Sequence, residues 1–176
     1  MHPGGVLEQY MPDHRGTLAQ LPVLAARVLG GLLPDAIAVT TGPGSFTGIR
    51  AALALGHGLA LAFARPVWGI TVGAAMRSVA VPGRALWIAT DTRRGRIYLE
   101  RFGPDMPGLS VMLAALPAPD GPIAVAGDAA EAVCAQLAAH DVLLLPQRRP
   151  LPAGIAHASG PALPLYSDPP AARVTV

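Results

Sequence analysis

Apolar residues recur along this chain with helical and strand periods in alternation. Leu18, Leu21, Leu24, Ala25, Val28 and Leu32 fall on one helical stripe, which predicts a helix over Thr17–Leu29 stopped by Gly30-Gly31. Pro22 removes a backbone hydrogen bond, so this helix is expected to kink there or to start nearer Leu21. The short apolar run Ala36–Thr41 reads as a buried parallel strand. A glycine loop over Gly42–Gly48, a second helix over Ile49–Ala64 and a strand over Pro66–Thr71 follow, which together make a right-handed βαβ unit. A short helix then runs to Val81 and ends at Pro82-Gly83.

The second half opens with a hairpin, Arg84–Thr90 and Arg96–Phe102, about the turn Asp91–Gly95. Gly103–Pro122 is rich in proline and glycine and reads as a long loop. Pro122–Gly127 reads as a strand, Asp128–His140 as a helix with Asp128 as its N-cap, and Asp141–Pro146 as a strand. Little regular structure is expected after Pro146; Gly5–Met11 could form a strand at the other end. The class is α/β, in two small subdomains. Residues 1–83 carry the glycine loop and two candidate interface helices, and residues 84–176 carry the hairpin and the Pro-rich tail.

Composition narrows the chemistry. The chain is 52% hydrophobic and 14% charged, which is globular and not disordered. All 13 basic residues are arginine, so Schiff-base and P-loop lysine mechanisms are excluded. A net charge of +2 gives no electrostatic case for a direct nucleic-acid binder. One cysteine, Cys134, leaves no internal disulfide and fits a reducing compartment. The start lacks the basic and apolar regions of a signal peptide, and Ile49–Phe63 is shorter than the ~20 residues of a membrane span. A cytoplasmic location without membrane association is expected.

The loop "TGPGSFTGIR" has the order of a phosphate site without its usual motifs. Walker A fails, because Phe46 stands at the second glycine and no lysine follows. The dinucleotide fingerprint fails because Gly42, Gly44 and Gly48 are spaced one residue too long. Gly42 and Gly44 still allow close approach of a ligand, while Ser45 and Thr47 can cap the helix. Arg50 stands in the first helical turn, against the helix dipole by roughly 0.3–1 kcal/mol. Either an anion or a carboxylate such as Asp91 should offset it.

Two stripes of small residues run along the same helix: Gly48, Ala52, Gly56, Ala60 and Ala54, Gly58, Ala62. One stripe is expected to meet the helix's own sheet and the other a second helix from a partner chain.

"TTGPGSFTGIRAALALGHGLALAFARPVWGITV", Thr40–Val72, closely resembles the signature of the TsaB (YeaZ) family of the actin-like, RNase H-like superfamily. "ATDTRRGRIYLERF" resembles that family's Asp-x-Arg hairpin, with Asp91, Arg93 and Tyr98 matching. The tail "PLYSDPPAARV" is similar to the family's C-terminus, although Ser167 and Asp168 replace the usual Leu-Arg. The resemblance implies a non-catalytic platform that binds a TsaD-type catalytic subunit. A TsaE-type ATPase and a carbamoyl-AMP-making enzyme would complete the complex that modifies adenosine next to the anticodon of tRNA, which the chain would meet only indirectly. A homodimer through the same helices is also implied. The implied partner interface comprises Leu18, Leu21 and Ala25 with Ala52, Gly56 and Ala60.

The resemblance implies no metal. The TsaD-type paralogue carries two metal-binding histidines where this chain has Val72 and Met76, and the five histidines here form no i, i+3 or i, i+4 pair. It also implies opening strands with an Asp-Thr pair, and these are not recognised here, so an N-terminally truncated version of the fold is expected. No cofactor is therefore expected. The enzymatic alternative is an actin-like ATPase or sugar-kinase relative that binds ATP or ADP through Ser45, Thr47 and Asp91. The remaining alternative is a truncated, non-functional remnant.

Overall fold

The structure, a computed structural model, describes Glu8 and residues 17–92, 95–102 and 108–167. The strand expected at Gly5–Met11, Arg93 of the hairpin motif, and the tail from Asp168 lie outside the described residues. Two sheets organise the rest. In the first, β1 (Ile37–Thr40) and β2 (Val67–Ile70) run parallel with Ile37 opposite Val67. Helix α2 (Phe46–Phe63) connects them and lays Ile49, Leu53, Gly56 and Ala60 against β1. These positions are one to three turns apart on a single face, and Ile49 and Leu53 form a small core with Val39 and Ala162.

Helix α1 (Thr17–Leu29) packs on α2. It starts at Thr17 and carries Pro22 inside it, so the alternative start near Leu21 does not hold.

The second sheet has the order β5 (Leu109–Met112), β4 (Arg96–Phe102), β3 (Ala85–Asp91), β6 (Ile123–Ala126), β7 (Val142–Leu144). The β3–β4 hairpin and β4–β5 are antiparallel, while β3–β6 and β6–β7 are parallel. Both faces are covered, and for that reason β6 and most of β3 are buried at every position. On one face Trp87, Leu99, Val125 and Val133 pack with α4 (Ala130–Gln136). On the other, Leu86, Ile88 and Ala126 pack with Met76 from the end of α3 (Val72–Ala75), and a 3₁₀ turn over Arg77–Val79 continues that cover.

Three expectations are corrected. The long loop over Gly103–Pro122 contains β5, four residues stabilised by pairing along the edge of β4. Asp128 does not cap α4. Ala129 holds that position without a side-chain bond, and the Asp128 carboxylate accepts from the Asp91 backbone N–H at 2.8 Å. The stretch after Pro146 includes a one-turn helix, α5 (Pro152–Ile155), and a strap over residues 160–165 that returns to the first sheet. Gly160 exchanges both backbone hydrogen bonds with Gly69, and the Leu165 N–H donates to the Thr41 carbonyl at 2.8 Å.

Candidate functional site

The glycine loop is built around the strap. Gly42 has φ +119°, and a side chain there would put its Cβ 2.7 Å from the Leu165 carbonyl oxygen. The close approach that Gly42 permits is therefore to this chain's own backbone. The Gly42 carbonyl accepts from the Val72 N–H at 2.8 Å, and the Thr41 hydroxyl donates to the Ile70 carbonyl. Ser45 is the N-cap of α2, its Oγ accepting from the Gly48 N–H at 3.1 Å. A Cβ on Gly48 would stand 2.7 Å from that Oγ, so this glycine keeps the cap clear. Gly44 meets only Ile49, no nearer than 3.8 Å, and Thr47 is exposed.

The expected carboxylate does not offset Arg50. No ion pair joins it to Asp91, and among the described residues it meets no carboxylate. Its guanidinium carbon lies 5.1 Å from the centre of the Phe46 ring, which is itself 5.3 Å from the Tyr166 ring. A cation over an aromatic face at an exposed site gains about 0.5–1 kcal/mol, as much as the dipole costs. The aromatic face thus supplies the offset that a carboxylate such as Asp91 was expected to give.

The partner face of α2 must be moved. Gly56 and Ala60 are buried by their own sheet, and a Cβ on Gly56 would lie 2.4 Å from Val39 Cγ1. They offer nothing to a second chain. The small residues left exposed are Ala54, Gly58 and Ala62, with Leu61 beside them at 85% exposure. Gly58 has open space around it. On α1, Leu21 and Ala25 are half-buried, while Leu18, Val23 and Val28 are exposed.

At the hairpin, Asp91 ends β3 and Tyr98 stands in β4 opposite Thr90. Burial, and then the nearby Glu100, push the Tyr98 hydroxyl above its ordinary pKa. Glu100 itself was missed from the sequence. It is buried, and its Oε2 accepts from the Gly73 N–H at 2.7 Å. Burial raises its pKa, partly countered by hydrogen bonds from Thr71 and Gly73. A lone acid inside the apolar run "RIYLERF" was the available signal. Val72 and Met76, at the histidine positions of the paralogue, both belong to the core under β3, Met76 fully buried. His57 hydrogen-bonds the Ala162 carbonyl at 3.0 Å and so ties α2 to the strap.

Comparison with known proteins bears on this architecture. Residues 33–103, from β1 through the hairpin, match the family described as TsaD: tRNA N6-adenosine threonylcarbamoyltransferase. The fold superposes on a crystal structure of an uncharacterised protein with similarity to peptidase YeaZ from Pseudomonas aeruginosa. The TM-score is 0.72 at 21% identity, covering 96% of this chain and 92% of the other. YeaZ from Pseudomonas aeruginosa superposes with a TM-score of 0.67 at 22% identity, covering 88% and 86%. In fold, this chain is similar to YeaZ.

The mixed α/β architecture is the one it shares with those two structures. The chain is also 33% identical over 147 residues to the uncharacterised proteins Rv3421c of Mycobacterium tuberculosis and Mb3455c of Mycobacterium bovis. That alignment covers 79% of this chain and 66% of each relative, so the chain spans just under two thirds of their length. Helix α2, at 18 residues, is long and apolar enough to cross a membrane, yet here it lies along β1.

Proposed function

We propose that this chain is a non-catalytic, cytoplasmic partner of a TsaD-type catalytic subunit. It would serve the complex that installs threonylcarbamoyl on adenosine next to the tRNA anticodon. The docking surface is the outer face of α1 and α2. One observation carries this reading: α2 has a mean hydropathy of 1.4 over its whole length, yet only 22% of it is buried. An apolar helix so little covered is ordinary at a subunit interface and costly in water. Leu61 at 85% exposure and Val23 at 53% mark the face, and Ala54 and Gly58 give the close approach a second helix needs. Fully burying each such Leu or Val stabilises a complex by about 1.5–3 kcal/mol. The TsaE-type ATPase would join this pair, tRNA would be met through the catalytic subunit, and a homodimer would use the same face. Val72 and Met76 support the non-catalytic role, since neither holds a metal where the paralogue does.

The experiment is co-expression with the TsaD-type subunit of the same genome, followed by titration of the purified pair. Leu61→Glu combined with Val23→Glu should weaken association at least a hundredfold while leaving thermal unfolding unchanged. Unaltered affinity in that variant, or threonylcarbamoyl transfer by this chain alone, refutes the reading.

A further inference from the structure

A cleft of about 640 Å³ opens between the end of β2, the α3 turn and the segment that follows α5. It is formed by an arch with two fixed feet. At one foot, α5 touches α3 so closely that a Cβ on Gly154 would fall 1.8 Å from the Ala75 carbonyl oxygen. At the other foot Gly160 pairs with Gly69, and a Cβ on Gly69 would fall 2.3 Å from the Pro161 carbonyl oxygen. Both approaches are backbone to backbone, so the cleft does not depend on a ligand to open. Its volume is that of a small-molecule site.

The polar side chains lining this cleft are an arginine, a histidine and three hydroxyls. Arg77 and Ser78 come from the 3₁₀ turn, His157 and Ser159 from the arch, and Thr71 from the end of β2. Among the described residues, no carboxylate lines it. Glu100 lies behind the wall, its carboxyl engaged with Gly73 and Thr71. Thr71 is also committed, its oxygen accepting from the Ala74 N–H. Arg77 lies 5.2 Å from the Phe102 ring centre, which orients the guanidinium and leaves its N–H donors unused. The side chains of Ser78, His157 and Ser159 have no hydrogen-bond partner among the described residues.

We infer that the arch cleft binds a small anion-bearing metabolite, held by Arg77 and His157 with hydroxyl contacts from Ser78 and Ser159. A phosphate and a carboxylate present the same acceptor geometry to an arginine fork, so the chemistry is shared and the source is decided by titration. The inference is independent of partner docking, because the cleft shares no residue with the α1–α2 face.

The test is calorimetric titration of the full chain with inorganic phosphate, pyrophosphate and citrate in separate arms. Saturable one-site binding in the phosphate arms alone assigns a phosphorylated ligand, and in the citrate arm alone a polycarboxylate. Arg77→Gln and His157→Gln should each weaken it about tenfold. Ser78→Glu, an exposed position where the fold tolerates change, should abolish it by placing a like charge in the cleft. Absence of saturable binding in every arm, or binding unchanged in Ser78→Glu, overturns the inference.

Discussion

The same substitution at two glycines of α2, two residues apart, should have opposite effects. Gly56→Ala places a methyl 2.4 Å from Val39 Cγ1, with Ile37 Cγ2 at 3.8 Å. Val39 cannot retreat. It is β-branched, held in a strand, and packed among Ile49 and Leu53. Overpacking of this kind costs about 1–3 kcal/mol, while replacing glycine by alanine in a helix interior returns about 1 kcal/mol. The net expectation is a loss of about 1 kcal/mol. Gly58→Ala meets nothing within 4 Å and should keep the whole propensity gain of about 1 kcal/mol. The two variants should therefore differ by about 2 kcal/mol. For a chain of this size that is about 4–8 °C in Tm. Parallel urea and thermal denaturation of both proteins measures it. If Gly56→Ala proves as stable as Gly58→Ala, Gly56 does not face the sheet and the assignment of the outer face falls with it.

Two further outcomes follow from buried contacts. The folded chain holds the Glu100 proton to a higher pH than the unfolded chain does, because burial raises its pKa. Between those two values the native state binds more protons, so this group's contribution to stability falls as pH rises. The stability of the wild type minus that of Glu100→Gln should accordingly shrink from pH 4 to pH 8 in a denaturant series, and a difference that grows contradicts the burial argument. Gly154→Ala would drive a methyl into the Ala75 carbonyl, which is backbone and cannot swing away. A loss of about 3 kcal/mol is expected by chemical denaturation, and a wild-type midpoint would show that α3 and α5 do not touch.

The elements that periodicity and glycine placement define were legible: α2, the parallel β1–β2 pair and the β3–β4 hairpin all stand where the pattern put them. What failed were features decided by neighbours. β5 is four residues among prolines and glycines, and it becomes a strand only because β4 offers an open edge. Asp128 had the position of a cap, but the end of β3 comes within reach and takes its carboxylate. The two small-residue stripes of α2 look equivalent by composition. Ile49 and Leu53 share a face with Gly56, whereas Arg50 and His57 mark the other, and that contrast was available to separate them. The partner of Arg50 could not have been found by seeking charge, since an aromatic ring one turn away supplies it. Tyr166, the second ring in that stack, is more than a hundred positions distant, beyond any local rule.

The strap over residues 160–165 sets an order on how the molecule comes into being. His57 and Ala162 are separated by 105 positions, and Gly42 and Gly69 are likewise sealed by Leu165 and Pro161, which are made after the second sheet. While the ribosome is still producing the second sheet, the first has emerged with its edge bare, and only the strap made after that sheet can close it. Maturation of the first sheet is thus governed by a segment made after the second, and nascent chains stalled between the two should be the ones that chaperones hold.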